Sequence, residues 1–265
     1  MNNLLTIIIV SFNSEDFIER CVSSVLKFLP KNCDVIVLDN GSTDKTVEKL
    51  NKFLPRIDLI KSEENLGFAR GNNMAIKSSN SEFLFFLNPD TEIKLPIFEE
   101  MISVYRKTPN IGILAPKLVM ANGEVQPSVK NLPTVFGAFQ EYVLGIKGAY
   151  SELVPKTTDL IEIGMAYGAA LLISRSIFEK VGGFDEKYFL YYEDVDLCRK
   201  VRISGRKIFY YPKLEITHLV GATKSIENKF LLNTKSARIY HGNFKYFLLQ
   251  LIFFLGRLRR KLGYV

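Results

Sequence analysis

Thr6-Ile7-Ile8-Ile9-Val10-Ser11-Phe12-Asn13 and, about one helix later, Leu38-Asp39-Asn40-Gly41-Ser42-Thr43-Asp44 decide the fold of this chain. Each begins as an apolar run and ends abruptly in small polar residues, the pattern of a buried strand whose carboxyl end opens to a loop. Working outward, Leu5–Val10, Val35–Leu38, Ile57–Ile60 and Phe83–Leu87 are predicted strands. Glu15–Leu29, Asp44–Phe53 and Phe68–Ser78 carry helical spacing between them, with Ser42, Thr43 or Asp44 available to cap the second helix. Strands alternating with helices imply an α/β fold, a mostly parallel sheet with flanking helices.

The pattern continues with a helix after Pro96 to about Lys107, a strand near Ile111–Val119 and a tight turn at Asn122-Gly123. It stops at Gln126. From there to Asp159, Pro127, Pro133 and Pro155 interrupt aromatic and glycine residues, so a loop-rich insertion that contributes to a substrate pocket is expected. An apolar run at Ile161–Ile173, a short helix at Ser174–Val181, a Gly182-Gly183 turn and a helix from Asp194 to Ile203 follow. Ile208–Tyr211 and Ile216–His218 are expected as two short strands.

The tail differs in kind. From Ser236 it reads as an amphipathic helix, apolar around Phe244–Leu255 and basic at Arg257, Arg259, Arg260 and Lys261. Its apolar stretch falls short of the ~20 residues that span a bilayer, so a helix lying in the membrane interface beside anionic lipid is expected. The competing expectation is that it packs on the body of the protein or on a second copy, as a homo-oligomer. The division that results is a domain over 1–225, with halves 1–119 and 120–225, and a helical tail over 226–265.

With 265 residues, 47% apolar and 24% charged, the chain can bury one large core. Its net charge of +7 suits nucleic acid, anionic lipid or a phosphorylated substrate. No helix-turn-helix, RNP-like or finger pattern accompanies that charge, and the densest basic cluster lies beside the apolar tail, so no nucleic-acid partner is expected. Cys21, Cys33 and Cys198 are too scattered for a disulfide framework or a metal-binding pair, which suits a reducing cytoplasm. The Leu4–Val10 run has no basic leader before it and no small-residue cleavage site after it, and is read as a strand.

Ligands of open α/β sheets bind beyond the carboxyl ends of the strands. Four polar segments fall there: Ser11-Phe12-Asn13, Asp39 to Asp44, Glu64-Asn65-Leu66-Gly67 and Asn88-Pro89-Asp90. Asp39 can accept from a ribose or a base N–H, or can cap a turn. Gly67 and Gly71 either leave backbone N–H groups, with Arg70, to face a phosphate or permit close packing. Neither a P-loop nor a G-x-G-x-x-G stretch is present, which points away from ATPases and dehydrogenases. Asn88-Pro89-Asp90 offers oxygen ligands for Mg²⁺ or Mn²⁺, or makes a turn. Tyr191-Tyr192-Glu193-Asp194-Val195-Asp196 sets three acids behind aromatics at a helix start; the helix dipole explains them, and so does a carboxylate whose pKa is raised for general-base work. His218 is either structural or a ligand.

Read together, these segments resemble glycosyltransferase family 2, inverting enzymes with a GT-A fold, over residues 4 to 220. Thr6–Asn13, Leu38–Asp44, Asn65-Leu66-Gly67-Phe68-Ala69-Arg70-Gly71-Asn72-Asn73, Asn88-Pro89-Asp90, Gly182-Gly183-Phe184-Asp185 and Tyr192-Glu193-Asp194-Val195-Asp196-Leu197 are similar to its rhamnosyltransferase-type branch. The resemblance implies a Rossmann-like sheet with a nucleotide-sugar pocket built by Ser11, Phe12, Asn13, Asp39, Asn40, Asn65, Gly67, Arg70, Asn72 and Asn88. It further implies a divalent metal, Mg²⁺ or Mn²⁺, on Asp90 and His218, although Asn88 stands where relatives often place a first aspartate. Asp194 would be the general base and Glu193 its substitute. The implied activity is transfer of a sugar, L-rhamnose from dTDP-rhamnose, to a polyprenyl-linked or growing surface glycan at the cytoplasmic face of a membrane. Alternatives are a UDP-galactofuranose, UDP-glucose or UDP-N-acetylhexosamine donor, or a catalytically silent sugar- or lipid-binding protein.

Overall fold

The computed structural model describes residues 3–220 and 228–261. Its centre is β1 (Leu5–Ser11), whose Leu5, Ile7, Ile8 and Ile9 are all buried because the sheet is covered on both faces. β2 (Cys33–Asp39), β3 (Asp58–Lys61) and β4 (Phe83–Leu87) run parallel to it in the order β3-β2-β1-β4. Crossover helices α1 (Ile18–Phe28), α2 (Thr46–Asn51) and α3 (Gly67–Ile76) connect them. The register Ser11 opposite Asp39 and Ile9 opposite Leu87 brings three of the expected polar segments to one edge.

The sheet then extends through β5 (Thr91–Glu92), α4 (Phe98–Lys107) and β6 (Ile111–Val119). The 126–159 segment is less irregular than its prolines suggest: β7 (Val129–Lys130) and α5 (Val135–Tyr142) form there, the helix capped by the Thr134 hydroxyl accepting from the Gly137 N–H at 2.9 Å. The apolar run that follows is three strands, β8 (Ile161–Ile163), β9 (Met165–Ala166) and β10 (Ala170–Ser174), parted at Gly164 and at Tyr167-Gly168. β10 inserts antiparallel between β4 and β6, so the sheet is parallel on the β1–β4 side and mixed beyond it. After α6 (Arg175–Lys180) and α7 (Glu193–Ile203), the two expected short strands are one, β11 (Lys207–His218). Its register slips between Tyr211 and Glu215, where Pro212 has no N–H to give to the ladder.

The tail forms α8 (Lys229–Lys261), starting earlier than expected and broken at Gly242, whose φ of 74° and ψ of 156° lie outside the helical region. Beyond the break, Leu249, Ile252 and Phe253 pack on Ala138, Tyr142 and Tyr150 of the insertion. Gly256 lies so close to Tyr142 that an added Cβ would sit 2.8 Å from its Cβ, and Arg259 donates to the Val143 carbonyl at 2.6 Å. Phe244, Phe247, Leu251, Phe254, Leu255 and Leu258 follow helical spacing on the opposite face and are exposed, Phe244 by 73%. One face therefore packs on the body while the other stays apolar and uncovered. No helix among the described residues is long and apolar enough to cross a membrane. The expected 225/226 boundary lies outside the described residues.

Gly256→Leu should lift α8 off Tyr142. Overpacking of this kind costs about 1–3 kcal/mol, so thermal melts should show a loss of several degrees with the sheet's circular dichroism intact.

Candidate active site

A cavity of about 430 Å³ opens at the carboxyl edge of the sheet. One wall comes from the strand-end loops: Phe12 after β1, Asn40 after β2, Asn65 and Gly67 before α3, and Asn88 after β4. The facing wall is Tyr192, Glu193 and Asp194 at the start of α7, with Tyr167-Gly168 beside it; Lys130 and Glu152 of the insertion complete it.

Most of the polar residues in and behind the first wall are engaged with one another. Asn13 accepts from the Thr43 N–H at 2.8 Å and its own N–H donates to the Ser42 hydroxyl at 2.9 Å, so the loops after β1 and β2 are tied together. Asn40 donates to Asn65 Oδ1 and the Gly67 carbonyl, at 3.0 and 3.1 Å, and accepts from the Leu66 N–H at 2.9 Å. Ser11 is buried and donates to the Leu38 carbonyl at 3.4 Å. Asp39, buried behind Asn40, accepts from the Ser42 N–H at 3.1 Å through Oδ2; its buried Oδ1 has no partner among the described residues. A buried carboxylate oxygen left so is costly, and a ligand N–H or hydroxyl would relieve it.

Of the expected site residues, Ser11, Asn13, Asp39, Arg70, Asn72 and Asp90 do not line the cavity, and two of these lie well away from it or turn back into their own helix. Arg70 stands with Met74 and Lys77 on the outward stripe of α3, 3.9 Å from Glu64, and lines a separate surface groove. Asn72 is buried and returns its amide to the Phe68 carbonyl at 2.9 Å, within its own helix. Nor does the start of α3 face a phosphate with free N–H groups: Gly67 N–H goes to Asn65 Oδ1 at 2.9 Å and Phe68 N–H to the Phe189 carbonyl at 2.8 Å. Gly67, at φ +78°, permits close packing instead, since a Cβ there would lie 2.3 Å from the Phe189 carbonyl oxygen.

Asp90 and His218 meet although they are far apart in the chain. β5 pairs antiparallel with the end of β11, setting His218 opposite Thr91, and His218 Nε2 lies 3.2 Å from Asp90 Oδ1. Gln126 Oε1 lies 2.7 Å from His218 Nδ1 and fixes the ring. A carboxylate oxygen and an imidazole nitrogen this close are a donor pair that suits Mn²⁺ or Mg²⁺ when phosphate oxygens and water supply the remaining ligands; of the two, His218 lines the cavity and Asp90 is buried behind it. Among the described residues no group of three or more protein ligands forms.

Across the cavity, Tyr191 and Tyr192 both adopt φ 69°, in the left-handed region. This costs side chains about 1–2 kcal/mol each. The turn delivers a buried Glu193 and a half-buried Asp194, side by side, into the first turn of α7. Burial pushes both carboxyls up, and the nearby Asp194 pushes Glu193 further. For Asp194 the rise is opposed: the Gly168 N–H donates to Oδ2 at 2.9 Å, the Lys130 ammonium acts through space, and the Val195 N–H donates to Oδ1 at 2.7 Å. Glu193 Oε2 has no partner among the described residues. The stronger upward push falls on Glu193, and the groups that favour a charged form gather on Asp194. Asp196, the third acid of the segment, turns away to Arg199 and Lys200.

Lys130, Glu152, Tyr167, Gly168 and Gln126 were not singled out from sequence. Lys130 pairs with Glu152 at 3.5 Å, and the Tyr167 hydroxyl donates to the same carboxylate. Only the small residues of Tyr167-Gly168-Ala169 within an apolar run hinted at a close approach; a Cβ on Gly168 would sit 3.3 Å from that of Asp194. The cysteines take no part: burial pushes Cys21 and Cys198 up to about 12 and the half-buried Cys33 to about 11, so all stay thiols at neutral pH.

This sheet order, with a ligand cavity across its carboxyl edge, is that of the GT-A glycosyltransferases. The solved structure of GalNAc-T7 with UDP, GalNAc and Mn²⁺ has the same fold, at TM-score 0.65 and 17% identity over 82% of this chain and 43% of that one. The family model described as glycosyl transferase family 2 matches residues 6–182, and the chain belongs to that family. It is 28% identical over 238 residues to the N-acetylglucosaminyl-diphospho-decaprenol L-rhamnosyltransferase of Mycobacterium tuberculosis, covering 82% of this chain and 76% of that protein. It is 25% identical to a rhamnosyltransferase of Escherichia coli, over 81% and 83% of the two chains. Family and fold make it a hexosyltransferase.

Because burial raises Asp194, turnover that needs its ionised form should fall on the acid side at a pH above the ordinary carboxylate range. Lys130→Met removes a cation that favours the charged form, so the acid limb of the pH–rate profile should move to still higher pH. An unmoved limb would remove Lys130 from this account.

Proposed function

We propose that this chain is an inverting transferase that moves L-rhamnose from dTDP-rhamnose to a hydroxyl of a polyprenyl-linked glycan. The mycobacterial relative is named for L-rhamnose and a polyprenyl-linked acceptor and the Escherichia coli relative for rhamnose, which supports this sugar and acceptor class; the dTDP carrier is what the family resemblance implies. The observation that carries the chemistry is Asp194: its carboxyl group accepts from the Gly168 N–H at 2.9 Å and lines the same cavity as Asn88 and His218.

The nucleotide lies against the Phe12 and Asn40 rim, and Asp39 Oδ1, buried just behind Asn40, accepts from the base or ribose once the rim gives way to it. The acceptor hydroxyl enters on the α7 side. As its oxygen attacks the anomeric carbon, Asp194 takes the proton, the bond from that carbon to the diphosphate oxygen breaks, and its electron pair leaves with the diphosphate. A divalent cation, when held by Asp90 and His218, supplies positive charge at the diphosphate. Gln126 keeps the His218 ring turned toward Asp90.

The uncovered face of α8, with Arg257, Arg260 and Lys261 on its flanks, lies in the headgroup layer of an anionic membrane, where the acceptor's lipid resides. Burying one such Phe is worth about 1.5–3 kcal/mol. Phe247→Ser should therefore weaken binding to vesicles containing anionic lipid about tenfold or more, as read by co-sedimentation.

A thermal-shift screen of dTDP-rhamnose against UDP-sugars, with Mn²⁺, tests the donor. dTDP-rhamnose should raise Tm most, and a larger rise with a UDP-sugar would reassign it. Asp194→Asn should lose turnover by at least about a thousandfold while still binding donor, and Asp90→Ala should weaken Mn²⁺-dependent donor binding. Wild-type turnover in both variants would overturn the mechanism.

A further inference from the structure

The first half of α8 does something an anchor has no need to do. It reaches into the cavity wall with Asn233 and touches the backbone that delivers the carboxylate pair. The Ser236 hydroxyl, buried, donates to the Leu190 carbonyl at 2.8 Å. Tyr240 lies against Tyr192 with ring centroids 5.4 Å apart, and His241 meets the same ring edge-on at 5.9 Å.

The hold extends past the segment into α7. Arg199 lies over the Tyr240 ring at 4.6 Å while its guanidinium pairs with Asp196. Tyr240 is thus gripped between the residue that precedes the carboxylate pair and the helix that follows it. His241 serves as an uncharged ring: burial, then Lys245 and Arg199, push it down to about 4.

Two consecutive side-chain-bearing residues in the left-handed region do not stay there unaided. If Tyr191 and Tyr192 relaxed to ordinary backbone, the chain direction into α7 would change and Glu193 and Asp194 would swing with it. Beyond its break α8 also packs on Tyr150. The break at Gly242 separates the half that holds the site from the half that exposes the apolar face.

We propose that α8 is a positioning element of the active site, its Ser236 and Tyr240 holding the Leu190–Asp194 segment so that the carboxylate faces the cavity. This rests on the reading of Asp194 as the base, and goes beyond the tail's role at a membrane.

The test uses the full chain and follows release of nucleoside diphosphate from the best donor. Tyr240→Ala should lower kcat at least tenfold with donor Kd within twofold of wild type, and Tyr240→Phe, which keeps the ring, should restore kcat to within twofold. Ser236→Ala, a milder change that guards against misfolding, should lower kcat severalfold with Tm within a few degrees of wild type. Hydrogen exchange at amides 190–194 reads the contact without substrate and should quicken at least tenfold in Tyr240→Ala. Wild-type kcat and exchange in folded Tyr240→Ala and Ser236→Ala would overturn the proposal. Asp194→Asn, assayed alongside, separates the two ideas: full turnover there would remove the base assignment instead.

Discussion

Two carboxyl groups stand on adjacent residues of one cavity wall, and their surroundings differ: burial pushes both up, and the groups that favour the charged form gather on Asp194. Asp194 receives two backbone N–H groups and the field of Lys130; Glu193 Oε2 receives no hydrogen bond from the described residues. Much of the molecule serves that asymmetry. Gly168 packs tightly beside Asp194, Gly67 must let the Phe189 carbonyl come close, and two tyrosines accept a disfavoured backbone to turn α7 toward the cavity.

The opposite wall is organised by a different economy. The asparagines that follow the strands are consumed in stitching three loops together, which leaves the rim rigid before any ligand arrives. What stands outside this stitching is Asp39 Oδ1, and the pairing of His218 with Asp90 brought about by β5 on β11. A preordered rim costs little reorganisation at the moment of reaction, which is where binding energy is best used.

The sequence was most legible where burial is complete. Phe83–Leu87 and Ile111–Val119 form strands with the expected bounds because a continuous apolar run between two covered faces has one reading. Asp194, Glu193, Asn40 and Asn88 reach the cavity as expected because strand ends and a helix start place them there. Helix phase was harder: Arg70 and Asn72 are two residues apart on α3, so one faces solvent and the other its own helix, and the motif does not say which face meets the ligand. Lys130 and Glu152 were hidden in a segment without periodicity, since their approach to Asp194 depends on β7 pairing with β9. The tail was read as packed or exposed, and helical spacing lets it be both.

The account depends most on the charge order of the pair. Carboxyl carbon-13 NMR of the full chain, labelled at Asp and Glu and assigned with Glu193→Gln, would follow both groups through a titration. The account requires Asp194 to lose its proton at the lower pH and Glu193 to remain protonated after Asp194 has ionised. The reverse order, with Glu193 ionised beside a protonated Asp194, would contradict it.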